Sequence, residues 1–138
     1  MGNVAIMEFQ SASTAGIVYA MIGFVPDYVV LLSDHGTANA KKIEWVNPTR
    51  FTGWPTAQSV VTAGGTVVTV VDTTTLLSAY AGGDTITSAE TANTAGKHVN
   101  RAGNPAAAGA ITAPGVKIAA TAQVNSGRNL LIAMQSDA

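Results

Sequence analysis

The chain has no cysteine, so neither a disulfide framework nor a thiolate metal site is open to it. Charge is scarce too: Asp, Glu, Lys and Arg make up 11% of the 138 residues, where soluble domains typically carry about 25%. Seven basic and eight acidic residues leave a formal net charge of −1, and neither sign forms a run. The electrostatic footprint of nucleic-acid binding is therefore missing. No apolar stretch approaches the ~20 residues needed to span a bilayer. The opening MGNVAIMEFQ has no basic region, and Glu8 interrupts its apolar run, which speaks against a secretory leader. Met1-Gly2-Asn3 begins like a myristoylation site but places Ile6 where that motif needs Ser or Thr. The chain is thus expected to be made in a cytoplasm and to engage no membrane.

Hydrophobic residues, at 47%, exclude a disordered chain and suit one core. Ala, Gly, Ser and Thr stand where Lys and Glu usually sit, a composition fitting a surface that is largely covered. The segment IGFVPDYVVLLS, residues 22–33, organises the rest. Gly23 and Pro26 punctuate its entry, Pro26 biases Val25 toward extended backbone, and Tyr28 to Leu32 follow without a charge. It reads as a buried core strand.

Around it, residues 4–10 alternate, with Val4, Ile6 and Glu8 on one face and Ala5, Met7 and Phe9 on the other, one face core and one a contact. Further strands are expected at 16–22, 41–46, 58–63, 66–72, near 76–80, at 84–87, at 116–120 and at 130–134. Gly64-Gly65 between two β-rich runs is a hairpin signal. Residues 91–113 are rich in Ala and Gly and read as a long loop or arm, with Lys97, His98 and Arg101 as its charged or titratable members. Short strands, turn residues and no amphipathic helix predict an all-β fold. The expectation is a single-domain antiparallel β-sandwich or jelly roll over residues 1–138, with long loops.

No catalytic signature emerges. Ser33-Asp34-His35 holds the residue types of a hydrolase triad, but sequence neighbours point in different directions, and polar loop residues capping a strand are the simpler reading. Asp72, Asp84 and Glu90 are carboxylates of the kind that gather around calcium, but their spacing is unspecific. No cofactor, metal or catalytic residue is therefore assigned, and the chain is expected not to be an enzyme. Recognition surfaces remain. Val4 and Ile6 on the first strand, Phe51 and Trp54 in TRFTGWP, Tyr80, and Lys97, His98 and Arg101 are the interface candidates. For the aromatics, covering the end of the sandwich is the simpler reading, with a contact patch as the alternative.

The order Gly23-Phe24-x-Pro26-Asp27-x-Val29 resembles a motif in the β-rich structural proteins of tailed bacteriophages. A Gly-x-x-Ile segment (Gly115 to Ile118), a turn at Asn125 to Gly127 and a last apolar strand, Leu130 to Met134, agree with it. Residues 50–110 lie outside the likeness. The resemblance implies a virion component with no reaction to catalyse. With no heptad or fibrous repeat, it points to a capsid decoration or cement protein that binds the major coat protein as a homo-oligomer. The alternative it leaves is a tail or receptor-binding component presenting Phe51, Trp54 and Tyr80 to a host-surface glycan.

Overall fold

A computed structural model describes residues 2–34, 40–54, 57–63, 66–72, 76–91, 94 and 96–136, with residues 34, 57–63 and 66–72 described by backbone alone. In chain order the strands are β1 (Asn3–Gln10), β2 (Val18–Met21), β3 (Tyr28–Asp34), β4 (Lys41–Val46), β5 (Ala57–Ala63), β6 (Thr66–Asp72), β7 (Leu77–Tyr80), β8 (Lys97–Val99), β9 (Gly115–Ile118) and β10 (Arg128–Gln135), with one 3₁₀ turn at Ala120–Ala122. They form two sheets. The larger has the order β1-β10-β3-β4-β5-β6 and is antiparallel throughout; the smaller is β7-β9-β2-β8. The all-β sandwich expected from the sequence is the observed architecture.

Alternation decides which side chains meet between the sheets. On β1, Ala5, Met7 and Phe9 are buried; Val29 and Leu31 of β3, Ile43 and Trp45 of β4, and Leu131 and Ala133 of β10 join them. The register sets Met7, Leu131, Leu31 and Ile43 side by side across four strands. Val18, Ala20, Leu77, Val99, Val116 and Ile118 of the smaller sheet close over that row in one cluster. Each large apolar side chain sealed there contributes roughly 1.5–3 kcal/mol relative to exposure.

Three expectations change in detail. The smaller sheet is not wholly antiparallel, because β2 and β8 run parallel. The chain passes from β7 at one edge to β8 at the other, and since β7 and β8 run the same way, a long crossover must join them. The strand expected at 84–87 is only a bridge between Thr85 and Ile111. Of the 91–113 segment, residues 96–113 are an ordered part of this sheet: they hold β8, and Val99 bridges to Pro105. The hairpin stands, with Ala63 opposite Thr66 leaving two residues to turn; those glycines, Gly64 and Gly65, lie outside the described residues.

Candidate functional site

The candidate site is built from the other side of the same strands. In β3, Val29 and Leu31 point into the core while Tyr28, Val30 and Leu32 point away from it. The run read as a buried core strand is thus buried on one face only. The same holds in β10 for Leu130, Ile132 and Met134, and in β1 for Val4 and Ile6. Register assembles these residues into three rows across β1, β10, β3 and β4: Val4, Met134, Tyr28, Val46; then Ile6, Ile132, Val30, Glu44; then Glu8, Leu130, Leu32, Lys42. Within these three rows the two middle columns are free of charge; the next row in register, Gln10, Arg128, Asp34, ends them with the charge of Arg128. Ile6 is 65% and Val4 54% exposed, and Leu32 and Met134 are exposed as well. An antiparallel sheet with one face in water normally alternates apolar with polar; this one presents apolar side chains on both faces. A contiguous exposed apolar face of this kind marks an interaction surface.

Charge bounds the apolar rows: Arg128 stands exposed at one end of β10, and the rest lie to either side. Glu8 lies on β1, while Lys42 and Glu44 lie on β4, where Lys42 Nζ is 3.0 Å from Glu44 Oε1. The Tyr28 hydroxyl donates to Glu44 Oε2 at 3.3 Å; burial first, and then the Glu44 charge, push the Tyr28 phenol above its ordinary pKa.

One end of the face carries the aromatic pair singled out in the sequence. Phe51, with Val4, Tyr28 and Met134, lines an open groove of about 460 Å³, and Trp54 stands 69% exposed on the same connection. The Gly23-Phe24-x-Pro26-Asp27 stretch explains how that connection is held. Asp27 is buried; its Oδ2 accepts from the Ser136 backbone N–H (2.8 Å) and hydroxyl (2.9 Å), and its Oδ1 lies 3.6 Å from Arg50 Nε. Asn47 donates through Nδ2 to the Pro26 carbonyl at 3.0 Å, and the Phe51 N–H returns to the Asn47 carbonyl. Arg50 lies 5.7 Å from the Phe51 ring centre. The motif therefore fixes the base of an exposed aromatic turn.

The remaining candidates serve the chain's own structure. Arg101 donates from Nη2 to the Val4 carbonyl (2.8 Å) and from Nη1 to the Ile22 carbonyl (3.3 Å). It thus covers the outer edge of β1, an edge strand of the larger sheet. Its loop is a tight one, because Asn100 Oδ1 accepts from the N–H groups of Ala102 and Asn104. Such a cover suppresses unwanted strand addition.

Tyr80 and His98 meet in a polar cluster with four residues outside the interface candidates: Tyr19, Asp84, Glu90 and Thr112. Tyr80 donates to Asp84 Oδ2 at 2.7 Å, and its oxygen is 2.9 Å from Thr112 Oγ1 and 3.2 Å from His98 Nε2. His98 Nδ1 faces Glu90 Oε1 at 3.2 Å, and the His98 backbone N–H donates to the other Glu90 oxygen. Tyr19 stacks on the imidazole with centroids 5.0 Å apart. The Tyr80 hydrogen bond holds the Asp84 carboxyl below the usual carboxylate range, whereas burial pushes the Tyr80 phenol up. These groups are satisfied by one another, tying residues 81–96 to the small sheet. Lys97 is half-buried beside them on β8.

Ser33 of the triad-like tripeptide is buried, and its Oγ accepts from the Val124 N–H at 2.8 Å, a structural bond. The side chains of Asp34, His35 and Asp72 lie outside the described residues. Among the described residues no group of three or more His, Asp or Glu is disposed to hold a metal ion, and no helix is long and apolar enough to cross a membrane. Comparison with protein-family models, with curated proteins and with solved structures gives no match.

Proposed function

We propose that this chain is a non-enzymatic structural protein of a virion, attached to the capsid surface as a decoration or cement protein. The observation that carries this reading is the uncovered apolar face of the larger sheet, on a chain in which charged residues are only 11% of the total. Apolar area of that kind gains its hydrophobic stabilisation only when another surface covers it. The polar groups converge on each other rather than on a pocket, so recognition by area fits the molecule better than chemistry does. The coat protein is the partner, and the Phe51–Trp54 turn, held from below by Asp27 and Arg50, is the contact assigned to it. Binding of this kind stabilises the bound shell by mass action.

The test is co-sedimentation of the purified chain with mature heads, together with its copy number per particle relative to the coat. Saturable binding, a copy number comparable to the coat and loss of binding in Trp54→Ala are expected. Failure to sediment with heads refutes the reading. One observation favours a second role: Trp54 is exposed enough to stack on a sugar ring. Under that reading the chain sits at a handful of copies per particle, and Trp54→Ala abolishes a glycan-array signal instead.

A further inference from the structure

We infer that the outer face of the larger sheet packs against the same face of a second copy, forming a two-fold dimer with its axis along the strands between β10 and β3. This inference uses the same apolar face as the virion reading but assigns it to a second copy, leaving the Phe51–Trp54 turn for the coat. It rests on how charge is laid out across the face.

Two sheets packing face to face keep their strands roughly aligned, so a two-fold axis lies in the interface, either along the strands or across them. With the axis across the strands, each strand meets itself, and Glu44 in the middle row meets Glu44 of the second copy. With the axis along the strands, each row meets its own mirror order. Glu8, Leu130, Leu32, Lys42 then lies over Lys42, Leu32, Leu130, Glu8, so Glu8 of each copy faces Lys42 of the other. In the same arrangement Met134 lies over Tyr28, Ile132 over Val30, and Val4 over Val46. Glu44 falls over Ile6, but its carboxylate already has Lys42 and the Tyr28 hydroxyl in its own chain. The apolar middle columns cover each other, and opposite charges meet at both flanks. That is the self-complementarity an isologous contact requires.

The covered region is small. Four strands about 4.8 Å apart and about seven residues long at ~3.3 Å each give roughly 440 Å² per copy. That is the size of a weak, transient interface, so the dimer is expected to form at micromolar to tens-of-micromolar concentrations.

Sedimentation velocity on the full chain, over about 1 to 300 µM, reads this directly. The expected result is a concentration-dependent shift from 14.0 kDa to twice that mass. Glu8→Lys alone and Lys42→Glu alone each place like charges at both flanks, weakening self-association by about tenfold or more. Mixing the two variants restores the dimer, because every flank then pairs Lys with Glu. Ile6→Glu, at an exposed position that the fold does not need, weakens the dimer as well. A chain that stays monomeric throughout the range overturns the inference. So does a dimer indifferent to Ile6→Glu, or one whose two charge variants fail to rescue each other on mixing. Head binding by a strictly monomeric chain would leave the virion reading intact and assign the face to the coat.

Discussion

Gly103→Ala tests whether the Asn100–Asn104 loop is docked on β1 or merely near it. Gly103 has φ +86°, and a methyl group at its Cα falls on the Glu8 carbonyl carbon and oxygen, well inside van der Waals contact. Both obstacles are backbone, so no rotamer change relieves them. Left-handed backbone costs an alanine about 1–2 kcal/mol by itself. Moving the loop away from β1 also strains the Arg101 bonds to the Val4 and Ile22 carbonyls, worth about 1 kcal/mol after allowance for their exposure. The sum is about 2–3 kcal/mol. Gly109 supplies the control: its φ is +78°, but an added Cβ meets nothing within 4 Å. Gly109→Ala should therefore cost only the left-handed term, about 1–2 kcal/mol. Urea unfolding followed by Trp fluorescence gives both values, and thioflavin binding of the folded protein reports whether the β1 edge has been uncovered. Equal destabilisation by the two variants, with no rise in aggregation, refutes the docking.

Two further outcomes follow from the same contacts. Stability should plateau between two limbs of pH: the Asp84 contribution, from a lowered carboxyl, is present above about pH 4 and lost as pH falls through its folded value, while the Tyr80 contribution, from a raised phenol, is complete below about pH 10 and lost as pH rises through its folded value. In Tyr80→Phe both limbs should shrink together, and urea midpoints across the pH range that keep wild-type curvature would contradict the cluster as described. Asp27→Ala removes the acceptor of the Ser136 N–H and hydroxyl and the ion-pair partner of Arg50, and should cost about 1–3 kcal/mol. Its amide-exchange signature should spread to residues 47–54, and confinement of the change to the C-terminus would refute the anchoring role.

Much of the larger sheet was legible in the sequence. The alternation of β1, the two-residue gap between β5 and β6, and the continuous runs of β3 and β10 set strand positions before any fold was known. What failed to show was how the smaller sheet is completed. Residues 91–113 read as a loose arm because Ala, Gly and Asn carry little periodic signal, yet tertiary bonds order residues 96–113: Ala106 N–H to the His98 carbonyl, Glu90 N–H to the Ala106 carbonyl, Gly109 N–H to the Ile86 carbonyl. Those partners lie 8 to 23 positions apart in the chain, and no local rule brings them together. Arg101 and His98 were found as chemically notable residues for the same reason that hid their use. A charge or an imidazole stands out in a neutral segment, but its acceptor, Val4 or Glu90, is fixed only by the crossover.

The apolar face was also written in the sequence, though in a form that burial alone misreads. YVVLL in β3 and LLIAM in β10 are apolar at every position, and a core seals only every second residue of a strand. In a parallel sheet flanked by helices on both sides, such a run needs no further explanation. Here, among the described residues, no helix supplies a second layer, and the smaller sheet packs over one face only. The surplus of apolar side chains at Tyr28, Val30, Leu32, Leu130 and Ile132 then has no structural use inside a single copy. Chains that expose such a face alone are prone to associate, and the two observed devices limit how. Charges at Glu8, Lys42 and Glu44 on either side and Arg128 at one end bound the apolar strip, and Arg101 covers the β1 edge beside it. Together they leave face-to-face covering open while discouraging strand addition at the β1 edge, an arrangement that favours assembly through the face.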